Sequence, residues 1–200
     1  QTLEERAEAA LQAREPLERW MGGSTVVEPD GSPKVLYHGT SDDIEGFDLD
    51  HPNRKDTGWL GYGVYATDDA ELASSYSQLK AGEAGPNIMP LYARLKNPYM
   101  ATIEDKQRLQ LISHNQGAEA GRQASIDFTD KLKARGHDGV ILDYEAAGYS
   151  PSREYVIFDP KDLKSATGNI GTYSEGGTLI NTMVPIGLGA GAMMATQEQE

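Results

Sequence analysis

Apolar residues recur along this chain first with a helical period and then in short, strand-like runs. From Thr2 to Met21 the residues Leu3, Ala7, Ala10, Leu11, Leu17 and Met21 can share one side of a helix, which Pro16 should kink or split. Gly22-Gly23-Ser24 ends that segment. Val26-Val27 and the turn-like Pro29-Asp30-Gly31-Ser32-Pro33 then lead into Val35-Leu36-Tyr37, a predicted strand. A polar loop from Ser41 to Leu60 separates it from a second strand, Gly63 to Thr67, after which Asp68 or Asp69 can cap a helix over Ala70 to Lys80 with Glu71 in its first turn. Met89 to Leu95 is a third strand, closed by Asn97-Pro98. Helices are predicted over Thr102 to His114 and over Arg122 to Arg135. The second carries Ala124, Phe128, Leu132 and Arg135 near one stripe and has Gly136 as its C-cap. Gly139 to Leu142 and Tyr155 to Phe158 read as two further strands joined by the loop Glu145 to Arg153.

This order lacks the regular strand–helix alternation and the GxGxxG turn of a dinucleotide-binding doubly wound sheet, so an α+β domain built on small antiparallel sheets is expected. With 200 residues, 38% of them hydrophobic, the chain can bury one core, and two full domains would be cramped. The expected organisation is an N-terminal helical segment over 1–23, a single domain over 24–167, and a Gly/Ala/Met-rich tail or linker over 168–200. Within that tail Leu179 to Ala195 is uncharged, but Asn181, Thr182 and Pro185 interrupt it, and it falls short of the ~20 apolar residues of a spanning helix. A linker or packing helix is expected there, and a membrane role is not. The chain shows no secretory leader and opens without Met, so it is expected to be a piece of a longer protein in a cytoplasmic setting.

Charge and residue type narrow the chemistry. The formal net charge of −13 gives no general attraction to phosphate backbones or anionic lipid, so a protein partner is favoured over nucleic acid. The absence of cysteine excludes disulfides, thiolate metal ligands and thiol catalysis. His38, His51, His114 and His137 fall in separate segments without metal-ligand spacing, and no metal is expected.

Three clusters carry candidate chemistry. In Leu36-Tyr37-His38-Gly39-Thr40 a strand runs straight into an imidazole, a glycine and a hydroxyl. His38 can bond a sugar hydroxyl while its other nitrogen is held, and Gly39 leaves backbone open to a ligand; His38 can equally be a satisfied structural residue. In Gly61-Tyr62-Gly63-Val64-Tyr65-Ala66-Thr67, followed by Asp68 to Tyr76, a strand-to-helix turn can bring Tyr65 and Tyr76 face to face as a slot for a flat heterocycle, a pyridinium gaining cation–π attraction as well. Both rings can also be ordinary core. In Ser150 to Pro160, Glu154 begins an apolar strand, where a carboxylate gains little unless it is paired or turned towards a cleft. It is either a ribose-hydroxyl ligand or a strand-edge partner of Arg153 or a lysine.

Taken together and in this order, the clusters resemble the His-Tyr-Glu ADP-ribosyltransferases, the class that includes diphtheria toxin and the poly(ADP-ribose) polymerases. His38-Gly39-Thr40 resembles the class's His-Gly strand end, Gly63-Val64-Tyr65 with Tyr76 its nicotinamide tyrosine pair, and Glu154-Tyr155-Val156 its catalytic Glu strand. The resemblance covers about Trp20 to Ala166. The lead-in from Trp20-Met21-Gly22 and the run Gly139-Val140-Ile141 are further similar to transferase domains embedded in phage and prophage polyvalent proteins.

The resemblance implies a split β-sandwich fold and NAD as co-substrate. It also implies cleavage of the nicotinamide–ribose bond with transfer of ADP-ribose to a macromolecular acceptor, in a phage or bacterial effector that can act in host cytoplasm. It gives Gly39 the carboxamide, Tyr65 and Tyr76 the nicotinamide, His38 the adenosine-side ribose, and Glu154 the nicotinamide-ribose hydroxyl, with Thr40 a further NAD-binding residue. Ala73 stands where many polymerases carry a carboxamide-binding Ser, so that contact is either missing or supplied by Ser74, and Arg54 with Lys55 are candidates for the pyrophosphate. Leu72 occupies a position that in polymerases is often a Lys associated with elongation, which implies transfer of a single ADP-ribose. Ser152, two residues before Glu154, disfavours an arginine acceptor. A hydrolase acting on NAD with water, or a catalytically silent binding module, is the alternative. The four residues His38, Tyr65, Tyr76 and Glu154 are expected to line one cleft.

Overall fold

The computed structural model of the chain describes residues 2–4, 16–40, 46–50, 57–79 and 87–167, with side chains of the helix that begins at Ala70 described as far as residue 75. Arg54, Lys55, the Tyr76 side chain and the tail 168–200 with its apolar stretch therefore lie outside the described residues, as does most of the predicted N-terminal helix.

Seven strands form one mixed sheet. In chain order the elements are β1 (Val35–Thr40), β2 (Val64–Thr67), α1 (Ala70–Leu79), β3 (Asn87–Ala93), β4 (Tyr99–Ala101), α2 (Ile103–Gln116), α3 (Ala118–Lys133), β5 (Gly139–Asp143), β6 (Arg153–Ile157), a 3₁₀ turn (Pro160–Asp162) and β7 (Leu163–Ser165). The spatial order is β4-β5-β6-β2-β1-β3-β7. Only β4 and β5 run parallel; every other neighbouring pair is antiparallel.

The sheet is nearly two. β2 pairs with β6 through four residues and β1 with β3 through six, whereas β1 and β2 meet only at Tyr37↔Thr67. One half is thus β4-β5-β6-β2 and the other β1-β3-β7. This is the α+β, mainly antiparallel split arrangement expected from the sequence.

Each sheet face supports its own core. Strand alternation puts Leu36, Val64, Ala66, Leu91, Ile141, Tyr155 and Ile157 in one cluster and Val140, Leu142 and Val156 in the other, where Leu60, Leu132 and Phe158 join them. α2 and α3 cover the second face, contributing Ile103, Phe128 and Leu132. The two helices cross closely because Gly121 carries no side chain: a Cβ there would sit 2.5 Å from the Cβ of Ser113.

Several local details differ from the sequence reading. The buried residues of α3 are Gly121, Ser125, Thr129 and Leu132; of the predicted stripe, Leu132 is among them and Phe128 packs part-buried against the second cluster. Small and hydroxyl residues face inward there because α2 approaches at Gly121 and the loop 57–63 presses against Ser125 and Thr129. α3 closes at Ala134 as C-cap, and Gly136 takes the left-handed conformation two residues later with φ 86°, its N–H donating to Lys133 O. Strands β4 and β7 are three residues each, too short to show a period. Asp69 caps α1, its Oδ1 accepting from the N–H groups of Glu71 and Leu72. Asp68 serves elsewhere, accepting from the Arg153 N–H and lying 3.7 Å from Lys34 Nζ.

Candidate active site

The site is best built from β6, a central strand. Glu154 stands in a row of cross-strand neighbours with Leu142 on one side and Thr67 on the other, and Tyr37 beyond Thr67. Because Tyr65 pairs with Val156, Tyr65 and Glu154 occupy the same sheet face as diagonal neighbours. Glu154 is only 8% exposed. A carboxylate this buried requires partners.

Two donors supply them. Lys106 Nζ lies 2.5 Å and Tyr144 Oη 2.6 Å from Glu154, both on Oε2, and Lys106 also donates to Tyr144 Oη. Oε1 accepts no hydrogen bond among the described residues. Arg153 is not the partner: alternation sends it to the opposite face, where its Nε donates to Asp143 Oδ2 at 2.7 Å. Asp143 is held below the usual carboxylate range by the Ala146 N–H first and by Arg153 second, and Arg153 is raised by that same bond. Glu154 is therefore bonded to a lysine, as one sequence alternative allowed, yet it lies in the middle of the sheet and not at an edge.

Tyr65 packs against the second cluster and closes a loop. Its hydroxyl accepts from Leu60 N–H at 2.9 Å and donates to Gly61 O at 2.7 Å. The loop is clamped again by α3, where Thr129 Oγ1 accepts from Tyr62 N–H and Arg122 donates to Tyr62 Oη. Gly58 and Gly61 make this fold possible, with φ of 74° and 125°. At Gly58 a Cβ would also meet Ser125 Oγ at 2.4 Å.

His38 reaches Tyr65 from the other half of the sheet. By alternation it shares its face with Leu36 and its cross-strand partner Met89, and Phe47 packs edge-on at 4.9 Å. Its Nδ1 lies 2.6 Å from Tyr65 O. A carbonyl only accepts, so Nδ1 carries the proton of this bond. The bond falls where the β1–β2 ladder has stopped: carried past Tyr37, the register would set Gly39 opposite Tyr65, whose carbonyl is instead bonded by the imidazole. Imidazole and glycine thus stand at the divergence of the two half-sheets. Thr40 ends β1 and is buried.

The structure brings the His38 ring to the backbone carbonyl of Tyr65 by a direct bond, and Tyr65 to Glu154 by register, whereas by alternation the His38 side chain lies on the face of the first cluster and the side chains of Tyr65 and Glu154 on that of the second. Ser74 is half-buried on α1, next to the buried Ala73. Tyr76 belongs to the same helix, but its ring is outside the described residues, so the aromatic slot is not visible. Lys106 and Tyr144 were missed from the sequence. A signal for half of the pair was present, since Thr102 and Asp105 form a capping box that fixes the first turn carrying Lys106. Among the described residues no group of acidic or His side chains is arranged to hold a metal, and no helix is long and apolar enough to cross a membrane.

A family model described as ADP-ribosyltransferase in polyvalent proteins matches residues 28–173. The chain belongs to this family. The match spans every strand of the sheet and all the candidate residues from His38 to Glu154. No curated protein matches the chain. An ADP-ribosyltransferase family uses NAD as substrate, and the clusters read from the sequence fall inside the matched segment.

Proposed function

We propose that the domain is an NAD-dependent mono-ADP-ribosyltransferase that cleaves the nicotinamide–ribose bond and passes ADP-ribose to a macromolecular acceptor, a protein in preference to a nucleic acid. The observation that carries this reading is the Glu154 carboxylate, buried on the Tyr65 face with Oε2 bonded twice and Oε1 bonded to nothing among the described residues. A ribose hydroxyl is the kind of donor that Oε1 would accept.

In this reading the bond from ribose C1′ to the nicotinamide nitrogen breaks with its electron pair, and nicotinamide leaves neutral. Positive charge develops on the ribose. Glu154 opposes that charge from a fixed position, where water is largely excluded, and the acceptor forms the new bond to C1′ and loses its proton to solvent. Tyr65 with Tyr76 would flank the nicotinamide, Gly39 would meet the carboxamide along the open edge of β1, and Ser74 would add a hydroxyl to it. His38 and Thr40 would hold the second ribose, and Arg54 with Lys55 the pyrophosphate. A net charge of −13 makes local cations necessary for a dianionic pyrophosphate. The domain itself would span 24–167, with the flanking segments outside the chemistry, and would act in the cytoplasm of a phage host as an effector.

The test is release of nicotinamide from NAD by the wild type and by Glu154→Gln, with and without a protein acceptor. Wild-type turnover should depend on acceptor, and Glu154→Gln should lower it by ~10²-fold or more while NAD still binds. Turnover indifferent to every acceptor identifies a hydrolase. NAD binding without turnover identifies a silent module.

A further inference from the structure

We propose that Lys106 and Tyr144 form a positioning pair that holds the Glu154 carboxylate by one oxygen and leaves the other to the substrate; this rests on the role given to Glu154 above. A carboxylate offers about four lone-pair sites. Here two charge-assisted or short bonds converge on Oε2 alone, from Lys106 Nζ and Tyr144 Oη, while the third contact of the triangle, Lys106 Nζ to Tyr144 Oη, is 2.5 Å. Three groups from three elements thereby fix one another: α2, the segment that follows β5, and β6.

Each donor is itself anchored. Lys106 follows a first turn closed in both directions, the Asp105 N–H donating to Thr102 Oγ1 and the Thr102 N–H to Asp105 Oδ2. Tyr99 Oη also donates to Asp105, at 3.1 Å, and so ties the helix start to β4. The Lys106 side chain is 13% exposed, so its ammonium has little water to bond instead. Tyr144 begins the turn after β5, where its N–H donates to Ser152 O and its carbonyl accepts from Tyr149 N–H. A lysine held this way differs from a surface ion pair, which would contribute little.

The ammonium also has an opposing effect, because its charge reduces the negative field that Glu154 sets against the developing ribose cation. Positioning and field therefore predict opposite signs for the loss of Lys106. Removal lowers turnover if holding the carboxylate dominates, and raises it if the field dominates. The buried, doubly bonded geometry favours holding, since a misplacement of about 1 Å can cost ~10²-fold.

The experiment measures nicotinamide release and NAD affinity for the wild type, Lys106→Met, Lys106→Arg, Tyr144→Phe, and the Met and Phe changes combined with Glu154→Gln. Urea midpoints identify the folded variants, and Tyr144→Phe, which removes one oxygen, serves if Lys106→Met does not fold. Expected are a fall in kcat of ~10-fold or more for Lys106→Met and Tyr144→Phe with KM for NAD within about twofold, and partial recovery in Lys106→Arg. In the Glu154→Gln background the same changes should alter kcat by less than about twofold, because the carboxylate they hold has gone. A plain structural role would lower both backgrounds alike, and that result overturns the proposal, as does a wild-type or higher kcat in folded Lys106→Met and Tyr144→Phe. A wild type that releases no nicotinamide instead overturns the transferase reading itself, and the proposal with it.

Discussion

Gly63→Ala should act on both stability and turnover, because Gly63 leads into β2 and is pressed against β6, and these two strands carry the candidate site. A Cβ at this position would lie 2.5 Å from Ile157 O, 2.8 Å from Val156 Cγ1 and 3.0 Å from the Ile157 carbonyl carbon, whereas ordinary contact begins at 3.4 Å. The nearest of these atoms is backbone of the central strand β6. It cannot swing aside as a side-chain tip could, so β2 and β6 must separate by a sizeable part of an ångström. Overpacking of this kind costs ~1–3 kcal/mol, and the backbone contact argues for about 2 kcal/mol or more. The same separation would move Tyr65, two residues on, relative to Glu154, which pairs with Thr67 on the next strand. Urea unfolding should show the midpoint falling at unchanged m-value, and nicotinamide release should fall by ~10-fold or more in protein that is still folded. Wild-type stability together with wild-type turnover would mean that β2 and β6 are not packed as described, and the register linking Tyr65 to Glu154 would have to be abandoned.

Tyr65→Phe keeps the ring but leaves Leu60 N–H and Gly61 O without their shared partner, so it should cost ~1–2 kcal/mol by urea unfolding and increase hydrogen exchange at Leu60. Thr102→Ala removes the side-chain half of the capping box and should cost about 1 kcal/mol; an unchanged midpoint would deny that cap any role. Alkaline stability should report on Tyr155, whose hydroxyl burial, and then the nearby Asp68 carboxylate, push well above its ordinary value. A raised folded pKa means its contribution is complete below about pH 10 and is lost as the unfolded phenol ionises above it, at up to about 1.4 kcal/mol per pH unit. Lys164, pushed down by burial, works in the opposite direction. Tyr155→Phe should therefore lose less stability than the wild type between pH 10 and 11 in denaturant titrations, and an equal loss would refute the assignment.

The sequence by itself determined whatever depends on neighbours in the chain. Alternating apolar runs marked β1, β2, β3, β5 and β6 to within a few residues, and the helices over α1, α2 and α3 followed from period and caps. The order of the His38, Tyr65 and Glu154 clusters pointed to the family that a match over residues 28–173 then established. Tertiary structure decided what depends on residues distant in the chain. Strands of three residues carry no readable period, so β4 and β7 exist only because β5 and β3 offer them free edges. Apolar period finds Phe128 and Leu132 of α3, which pack in the core, but not the buried Gly121, Ser125 and Thr129, which the close approach of α2 and of the loop 57–63 selects. No local pattern could show that Tyr65's carbonyl is bonded by an imidazole 27 residues earlier, or that the partner of Glu154 is a lysine 48 residues away instead of the adjacent Arg153. In a strand, consecutive side chains point to opposite faces, so the residue next in sequence is the one a carboxylate cannot share a face with, and its partner must come from another element.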